Sequence, residues 1–277
     1  MRYLEQAFRT IEKFDLVEEG DRIFVALSGG KDSAAALFVL KEYVEKKGVD
    51  CEIKGIHLSF DLPISANVER VVRHQADLAN VELVVISLKE LGLPSLTDVL
   101  KRTSRPLCSI CGVLKRYLLN KLPREMGATK VATGHNLDDF LVFYFRNVLG
   151  GNFSWISKFK PKLEASHPKL VCKIRPLFFL RNKENLEFCR SRKIPLIEED
   201  VCPHTLLCCK VDTSREKWYE VLEEIEKRQR GFRLKFAEAV VKMASFFPSE
   251  GELRECEVCG EPTSQAVCAF CKLFRKV

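Results

Sequence analysis

Long apolar runs are missing from this chain of 277 residues, and their absence limits where it can function. No uninterrupted apolar stretch approaches the roughly 20 residues that a membrane-spanning helix needs. The first residues, MRYLEQAFRTIEKF, carry acids as well as bases, which fits neither a secretory signal nor a transit peptide. The sequence therefore predicts a cytoplasmic protein with no membrane partner.

Composition narrows the class of protein further. Apolar residues make up 46% of the chain, which is typical of a globular protein and excludes a disordered tail. The formal net charge of +7 gives only weak support for a polyanionic partner. Twelve cysteines would suggest disulfides in a small secreted domain. In a cytoplasmic chain of this length, C-x-x-C pairs instead indicate metal or redox chemistry.

Short hydrophobic segments alternate with segments of helical period along most of the chain. This alternation predicts an α/β fold with a doubly wound, Rossmann-like parallel sheet covered on both faces. The predicted strands are 22–27, 51–60, 82–88 and 129–135, with a short edge strand at 194–200. The predicted helices are 2–14, 33–47, 66–79, 110–121, 137–149, 182–192 and 214–244.

Changes in composition divide the chain into four expected segments. An N-terminal helix and linker (1–20) precede a catalytic domain (21–210). A charge-rich helical extension (211–250) follows, and the last segment (251–277) combines four cysteines with little apolar content. We interpret that last segment as a small zinc-binding module.

A glycine-rich loop lies between the first predicted strand and the helix after it. Glycines let backbone N–H groups approach phosphate oxygens, and the N-terminus of a helix favours negative charge. The alternative is an ordinary strand–turn–helix corner, which has no need for this concentration of polar groups. The loop is Ser28-Gly29-Gly30-Lys31-Asp32-Ser33.

The SGGKDS loop resembles the signature of the PP-loop (ATP pyrophosphatase) superfamily. Members of that superfamily cleave ATP between the α- and β-phosphates and attach AMP to a carbonyl oxygen. The resemblance implies that ATP and Mg²⁺ bind at the carboxyl ends of the parallel strands. The expected ATP site consists of the loop residues together with His57 and Gly134.

Three further motifs follow the loop in order. Cys108-Ser109-Ile110-Cys111 precedes a predicted helix that carries Lys115, GHNLDD opens the next helix, and Cys202-Pro203-His204 comes later. Together with SGGKDS they resemble the TtcA/TtuA family of tRNA 2-thiolation enzymes. The resemblance implies that Cys108, Cys111 and Cys202 hold a [4Fe–4S] cluster. It also implies that Lys115, Asp139 and Asp32 are catalytic.

The chemistry of these side chains agrees with that implication. Thiolates are the usual iron–sulfur ligands, and three of them leave one iron open to an exogenous sulfur. Lys115 lies one helical turn after Cys111 and can stabilise negative charge. Asp139 could position Mg²⁺ or transfer a proton, and the sequence leaves both roles open. On its own, the C-x-x-C pair could also be a zinc half-site or a redox pair.

The terminal cysteines have the spacing of a tetrahedral zinc site, C-x2-C-x8-C-x2-C. So short a segment has no core of its own, and the metal would supply its folding energy. This module favours the TtuA branch, which commonly also carries an N-terminal zinc finger; here the sequence starts directly at the first predicted helix. The expected zinc ligands are Cys256, Cys259, Cys268 and Cys271.

Basic and aromatic residues are concentrated between residues 155 and 175. Lysine and arginine neutralise phosphate and aromatic rings stack on bases, so this segment predicts an RNA surface, whereas a merely solvated basic loop is the alternative. Cys208 and Cys209 are interpreted as structural residues or as a persulfide relay. The basic residues are Lys158, Lys160, Lys162, Lys169, Lys173 and Arg175, around Trp155 and Phe159.

The resemblance implies ATP-dependent thiolation of tRNA, with adenylation of the uridine C2 oxygen followed by sulfur transfer. A T-loop uridine is the first expectation, and a wobble uridine or a cytidine is the alternative. Sulfide or a thiocarboxylated carrier protein would donate sulfur, and a homodimer is left open. Two rival hypotheses are persulfide transfer without a cluster and a non-catalytic RNA-binding module.

Overall fold

The computed structural model describes residues 2–199, 202–207, 214–247 and 252–275. Its helices are α1 (Arg2–Lys13), α2 (Lys31–Lys47), α3 (Ser65–Leu78), α4 (Leu96–Leu100), α5 (Leu107–Glu125), α6 (Leu137–Leu149), α7 (Asn182–Ser191), α8 (Pro203–Leu207), α9 (Ser214–Arg228), α10 (Phe232–Met243) and α11 (Ala269–Phe274). Its strands are β1 (Asp21–Leu27), β2 (Cys51–Ser59), β3 (Glu82–Ser87), β4 (Lys130–Ala132), β5 (Lys162–Leu163), β6 (Cys172–Ile174), β7 (Arg254–Glu255) and β8 (Pro262–Thr263). Two 3₁₀ turns span Phe153–Lys158 and Ala244–Phe246.

A six-stranded sheet in the order β3-β2-β1-β4-β6-β5 forms the centre of the molecule. All its pairings are parallel except that of β5 with β6. The strand order reverses at β1, which pairs with β2 on one side and β4 on the other, and this reversal opens a crevice at the carboxyl ends of the strands. The predicted doubly wound sheet is confirmed, with an antiparallel edge strand that was not predicted.

Side-chain alternation along β1 builds a core on each face of the sheet. Ile23 and Val25 join the buried cluster that includes helix α2 and the Cys189 end of α7. Phe24 points to the opposite face, where it packs with Ile56 and Val131. Because both faces are covered, the loops at the strand ends are the part of the sheet left open to ligands.

The predicted helix over 214–244 is wrong in its continuity, because two helices occupy this stretch. Gly231 has a positive φ of 79°, a left-handed conformation that an α-helix does not contain. The Glu226 carboxylate accepts hydrogen bonds from the N–H groups of Gly231 and Arg233, at 2.7 and 3.0 Å. The chain therefore turns back at this point, and α10 packs against α6.

The predicted edge strand over 194–200 is also wrong within the part that the structure describes, which ends at Glu199. This segment lies against the glycine-rich loop that follows β1, and residues 194–199 form no strand. The N–H of Ile197 donates to the carbonyl of Gly29, and the carbonyl of Pro195 accepts from Gln75. The segment thus braces the glycine-rich loop.

The remaining predicted elements are confirmed with shifts at their ends. Helix α2 begins at Lys31, two residues earlier than predicted, and α5 begins at Leu107 instead of residue 110. The expected boundaries at 210/211 and 250/251 fall on residues outside the described part, so the four-segment division stays a prediction. None of the described helices is both long and apolar enough to cross a membrane.

Candidate active site and metal centres

The glycine-rich loop is held by hydrogen bonds among its own polar groups. The Ser33 hydroxyl donates to the Gly30 carbonyl at 3.0 Å and accepts from the Ser28 N–H at 3.1 Å. Gly29 has a φ of +81°, which glycine adopts without strain. Helix α2 then starts at Lys31, so its first N–H groups have no intrahelical acceptor and face the loop. This arrangement is a phosphate-binding geometry.

Asp32 ties the loop to two other helices. Its Oδ1 accepts from Asn136 Nδ2 at 3.1 Å and from Asn185 Nδ2 at 2.8 Å, and both asparagines are fully buried. Its Oδ2 lies 2.9 Å from the Lys31 ammonium. Asp32 therefore fixes where the loop meets α6 and α7, and it keeps Lys31 at the loop.

Gly134 is required by close backbone packing. A Cβ atom at this position would lie 2.5 Å from the carbonyl carbon of Asp32 and 2.6 Å from the nitrogen of Ser33. Neither atom belongs to a flexible side chain. The segment after β4 can therefore lie directly on the glycine-rich loop only because residue 134 lacks a side chain.

His57 is buried at the end of β2, beside the loop. Its Nδ1 lies 2.9 Å from the Leu27 carbonyl, and its Nε2 is buried without a partner among the described residues. Burial lowers the pKa of His57, and the nearby Lys115 charge lowers it further. A neutral ring that donates from Nδ1 presents Nε2 as an acceptor, which is how it could contact a ligand.

Both cysteines of the C-x-x-C pair lie inside α5, whereas the predicted helix over 110–121 left Cys108 outside it. Pro106 occupies the N-cap position in an extended conformation, and the helix starts at the buried Leu107. Cys108 and Cys111 are three residues apart, so they share one face of the first two turns. The N-terminus of a helix favours thiolates, and iron–sulfur clusters bind through thiolates.

Lys115 lies on α5 between the C-x-x-C cysteines and the rest of that helix, close to the end of β2. Burial raises the pKa of the Cys111 thiol; the Lys115 charge lowers it, and Cys202 raises it. The Lys115 ammonium lies 5.2 Å from the centre of the Phe60 ring, and Phe60 directly follows β2, so this cation lies near the carboxyl end of that strand. The short helix α8, which follows Cys202, packs against α5. The predicted cluster ligands Cys108, Cys111 and Cys202 therefore lie on or beside two helices in contact, with Cys108 and Cys202 exposed. In the described part of the chain, the group of ligand atoms that lie within 4.8 Å of one another is that of the four terminal cysteines, so the three-cysteine cluster site stays a prediction.

Asp139 lies in the first turn of α6, and two hydrogen bonds orient this residue. Asn136 caps the helix, and its Oδ1 accepts from the N–H groups of Asp138 and Asp139 at 3.0 and 3.1 Å. The hydroxyl of Tyr219 donates to Asp139 Oδ1 at 2.7 Å. The side chain of Asn136 also donates to Asp32 Oδ1, so the first turn of α6 is hydrogen-bonded to the glycine-rich loop.

The four terminal cysteines come together as predicted. Their sulfur atoms all lie within 4.8 Å of one another, and three of the four residues are buried. Backbone N–H groups donate to these sulfurs, from Cys268 to Cys256 at 3.2 Å and from Cys271 to Cys268 at 3.4 Å. Gly260 turns the chain with a φ of +70°. These donors fit one tetrahedral metal ion.

The cysteine module packs on the same helix that carries Cys108 and Cys111. Phe270 and Phe274 of α11 share a buried cluster with Leu114 and Leu118 of α5. The Arg124 guanidinium bonds both carboxylate oxygens of Glu261, at 2.9 and 2.5 Å. The module therefore packs against the buried face of α5.

Comparison with known proteins decides the family. The model of the PP-loop domain family matches residues 3–205. The chain belongs to the PP-loop family. Its matched region contains the loop, α5 and Asp139, whereas α9, α10 and the cysteine module lie beyond it.

Similar proteins identify the group within this family as the PP-loop tRNA 2-thiolation enzymes, as the motifs predicted. A tRNA-5-methyluridine(54) 2-sulfurtransferase from Pyrococcus horikoshii is 34% identical over 96% of this chain and 82% of the relative. The enzyme of the same name from Thermotoga maritima is 32% identical over 99% of this chain and 88% of the relative. The U34-tRNA thiolase NcsA from Methanococcus maripaludis, with its [4Fe–4S] cluster, shares the fold at a TM-score of 0.80 and 22% identity, covering 98% and 87% of the two chains.

Two residues of this PP-loop site, Asn185 and Tyr219, were missed from the sequence. Asn185 continues the buried stripe of Phe188 and Cys189 on α7, and a polar residue on such a stripe was the available signal. Tyr219 gave no signal, because it lies 80 residues from its partner. Cys189 is buried as expected. The side chain of His204 and both Cys208 and Cys209 lie outside the described part.

The predicted basic surface is smaller than the sequence suggested. Phe159 is buried, and the Arg175 guanidinium packs on the Phe140 ring, where burial lowers its pKa to about 10. Lys162 pairs with Glu18 and Glu164, and Lys169 pairs with Glu255. Trp155 stays exposed, with the Lys158 ammonium 4.3 Å from its ring.

Proposed function

We propose that this PP-loop enzyme adenylates the C2 oxygen of a tRNA uridine and then replaces that oxygen with sulfur. The observation that carries the proposal is the position of Lys115, one helical turn after Cys111 on α5, with its ammonium 5.2 Å from the centre of the Phe60 ring. Phe60 directly follows β2, the strand that carries His57, so this cation supports placing the predicted cluster ligands beside the predicted ATP site. A reaction that first activates a carbonyl with ATP and then delivers sulfur needs these two sites side by side.

The first step uses the loop and the start of α2. The loop and the first N–H groups of α2 would bind the phosphates of Mg²⁺-ATP, with Lys31 as an added charge. His57 and Gly134 border the same site. The uridine C2 oxygen attacks the α-phosphorus, the bond to the β-phosphate oxygen breaks, and pyrophosphate leaves. The C2 carbon then carries AMP as a leaving group.

The second step replaces AMP by sulfur. Cys108, Cys111 and Cys202 would hold a [4Fe–4S] cluster, which supplies an iron with an open coordination position for the incoming sulfur. Lys115 stabilises negative charge that develops as sulfur adds to C2 and AMP departs with the original oxygen. Asp139, fixed at the start of α6, holds Mg²⁺ or moves a proton.

We infer that the substrate is a T-loop uridine, which would make the product 2-thiouridine or 5-methyl-2-thiouridine. Two relatives that match nearly the whole chain carry position 54 in their names. The structural neighbour named for U34 makes the wobble uridine the next choice.

Sulfide or a thiocarboxylated carrier protein would be the sulfur donor. A homodimer is left open, and the cytoplasm is the expected location. The cysteine module would hold Zn²⁺.

The product of ATP cleavage tests the first step. With tRNA present, the protein should release AMP and pyrophosphate, because the loop resembles a site of attack at the α-phosphate. ADP and orthophosphate as main products would contradict the proposal. Digestion of tRNA thiolated with labelled sulfide then locates the base, and label in the anticodon arm would exclude position 54 while leaving the chemistry intact.

Metal analysis tests the cluster and the zinc site separately. Anaerobic reconstitution should give about four iron atoms per chain, the content of a cubane cluster. Cys202→Ala should lose iron, while Cys256→Ala should lose zinc and keep iron. A full cluster in Cys202→Ala protein would refute the three-cysteine assignment.

A further inference from the structure

The helices beyond residue 205 reach the first turn of α6. Tyr219 on α9 donates its hydroxyl to Asp139 Oδ1 at 2.7 Å. The neighbouring Trp218 stacks on Phe145 of α6, with ring centroids 5.1 Å apart and planes 3° from parallel. Leu222, one turn further along α9, is fully buried in the same cluster. The Tyr219 side chain is therefore held in place by packing on both sides of it along α9.

A second contact fixes the residue next to Asp139. The Arg233 guanidinium of α10 donates to Asp138 Oδ1 at 2.5 Å, and both side chains are buried. Asp138 Oδ2 accepts from the N–H of Asn182, at the start of α7. The backbone of this turn is thus held by α7, α10 and the Asn136 cap. The Tyr219 hydroxyl contributes a hydrogen bond to the carboxylate of Asp139 itself.

We propose that Tyr219 is a positioning residue for the thiolation reaction: its hydroxyl sets the orientation of the Asp139 carboxylate, so that the C-terminal helices complete the active site. This inference rests on the proposed function, in which Asp139 touches Mg²⁺ or the reacting groups. It assigns a catalytic contribution to α9, a segment outside the matched PP-loop region. The hydrogen bond from Tyr219 restricts rotation of the Asp139 carboxylate about its side-chain bond.

Tyr219→Phe is the informative variant, because it removes one oxygen and keeps the ring. We expect kcat for tRNA-dependent pyrophosphate release to fall about 10- to 100-fold, the usual cost of misplacing a reacting group by about 1 Å. The KM for ATP should stay within about two-fold, because the Tyr219 hydroxyl donates to α6. Tyr144→Phe is the matched control; this α6 tyrosine packs by its ring on Phe159 and Phe236 in the same cluster. It should keep the wild-type kcat.

A thermal double-mutant cycle tests the contact without using activity. Tyr219→Phe should lower the melting temperature of the wild type by more than it lowers that of Asp139→Ala, because this partner is already gone from the second background. Equal shifts in both backgrounds would overturn the contact. If the thermal cycle gives the expected difference but Tyr219→Phe keeps the wild-type kcat, the positioning role is overturned. If the wild type releases no pyrophosphate with tRNA, both the proposed function and the positioning role are wrong. The thermal cycle still tests the contact between Tyr219 and Asp139 in that case.

Discussion

Tyr117 of α5 and Phe270 of α11 stack with ring centroids 3.6 Å apart and planes parallel to within 1°. The Tyr117 hydroxyl is buried, and its pKa is raised by burial and by the neighbouring Cys259 thiol. A metal at the four cysteines would convert Cys259 into a thiolate, which gives this hydroxyl an acceptor. The stack therefore holds a hydrogen-bond donor of α5 beside Cys259, a predicted metal ligand.

Tyr117→Phe should accelerate zinc loss by about 10-fold, the lower range for removal of a partner that hydrogen-bonds a metal ligand. The ring stack on Phe270 is kept, so the fold should persist. Zinc release to a chromogenic chelator gives the rate. Tyr43→Phe, at a buried tyrosine in a different cluster, is the control and should release zinc at the wild-type rate. Equal rates for Tyr117→Phe and wild type would contradict the hydrogen bond.

Gly134→Ala should weaken ATP binding at least about 10-fold, since the new methyl group would displace the Asp32–Ser33 backbone. The matched variant is Gly30→Ala, where a Cβ meets nothing closer than Ser28 Oγ at 3.7 Å. Calorimetric titration measures ATP affinity, and thermal unfolding measures stability. Gly134→Ala should have a lower ATP affinity and a lower melting temperature than the wild type, whereas Gly30→Ala should keep the wild-type melting temperature. An unchanged affinity in Gly134→Ala would show that the loop accommodates the methyl group.

Asp32→Ala should lower the free energy of unfolding by about 1–3 kcal/mol, because it leaves the buried amides of Asn136 and Asn185 without their acceptor. Lys31→Ala should cost less than about 1 kcal/mol, since its ion pair is partly exposed. Both variants should lose pyrophosphate release. Chemical denaturation in urea separates them, and equal stability of the two would mean that Asp32 does not anchor α6 and α7.

His57 makes stability depend on pH. Burial lowers the pKa of this residue in the folded state, whereas the unfolded chain titrates near the ordinary value of about 6.5. The unfolded state therefore binds more protons in this range, and stability falls as pH drops below about 6.5. The stability advantage of wild type over His57→Gln should shrink between pH 7.5 and 5.5, measured by urea unfolding. His74→Gln, at an exposed histidine of α3, is the control. An advantage that stays constant with pH would exclude this role.

Trp155→Ala should weaken tRNA binding by about 1–3 kcal/mol if the exposed ring stacks on a base. Lys158→Ala should weaken it less and reduce the slope of log K against log salt by about 1. Filter binding at several salt concentrations measures both. Lys183→Ala, an exposed lysine of α7, is the control and should bind like the wild type. If all three variants bind equally, the surface for tRNA lies elsewhere.

The SGGKDS loop, the Cys108–Cys111 pair and the terminal cysteines were readable from the sequence because their chemistry depends on local spacing. The alternation of strands and helices was readable for the same reason, since burial on both faces of a sheet imposes a period on neighbouring residues. These patterns were sufficient to predict the doubly wound fold and the family. They also placed the ATP loop between β1 and α2, with an error of two residues at the start of the helix.

Tertiary structure alone decided which distant residues meet. Asn185 lies 153 residues from Asp32, and Tyr219 lies 80 residues from Asp139, so no local period marks either pair. The break at Gly231 was missed because the charged residues around it suit a helix, whereas the turn is stabilised by Glu226 and by packing on α6. The sequence predicted Arg175 as an RNA contact, but its guanidinium packs on the Phe140 ring and donates to the backbone carbonyls of Lys158 and Lys160. A charge in sequence becomes a binding group only where folding leaves it exposed.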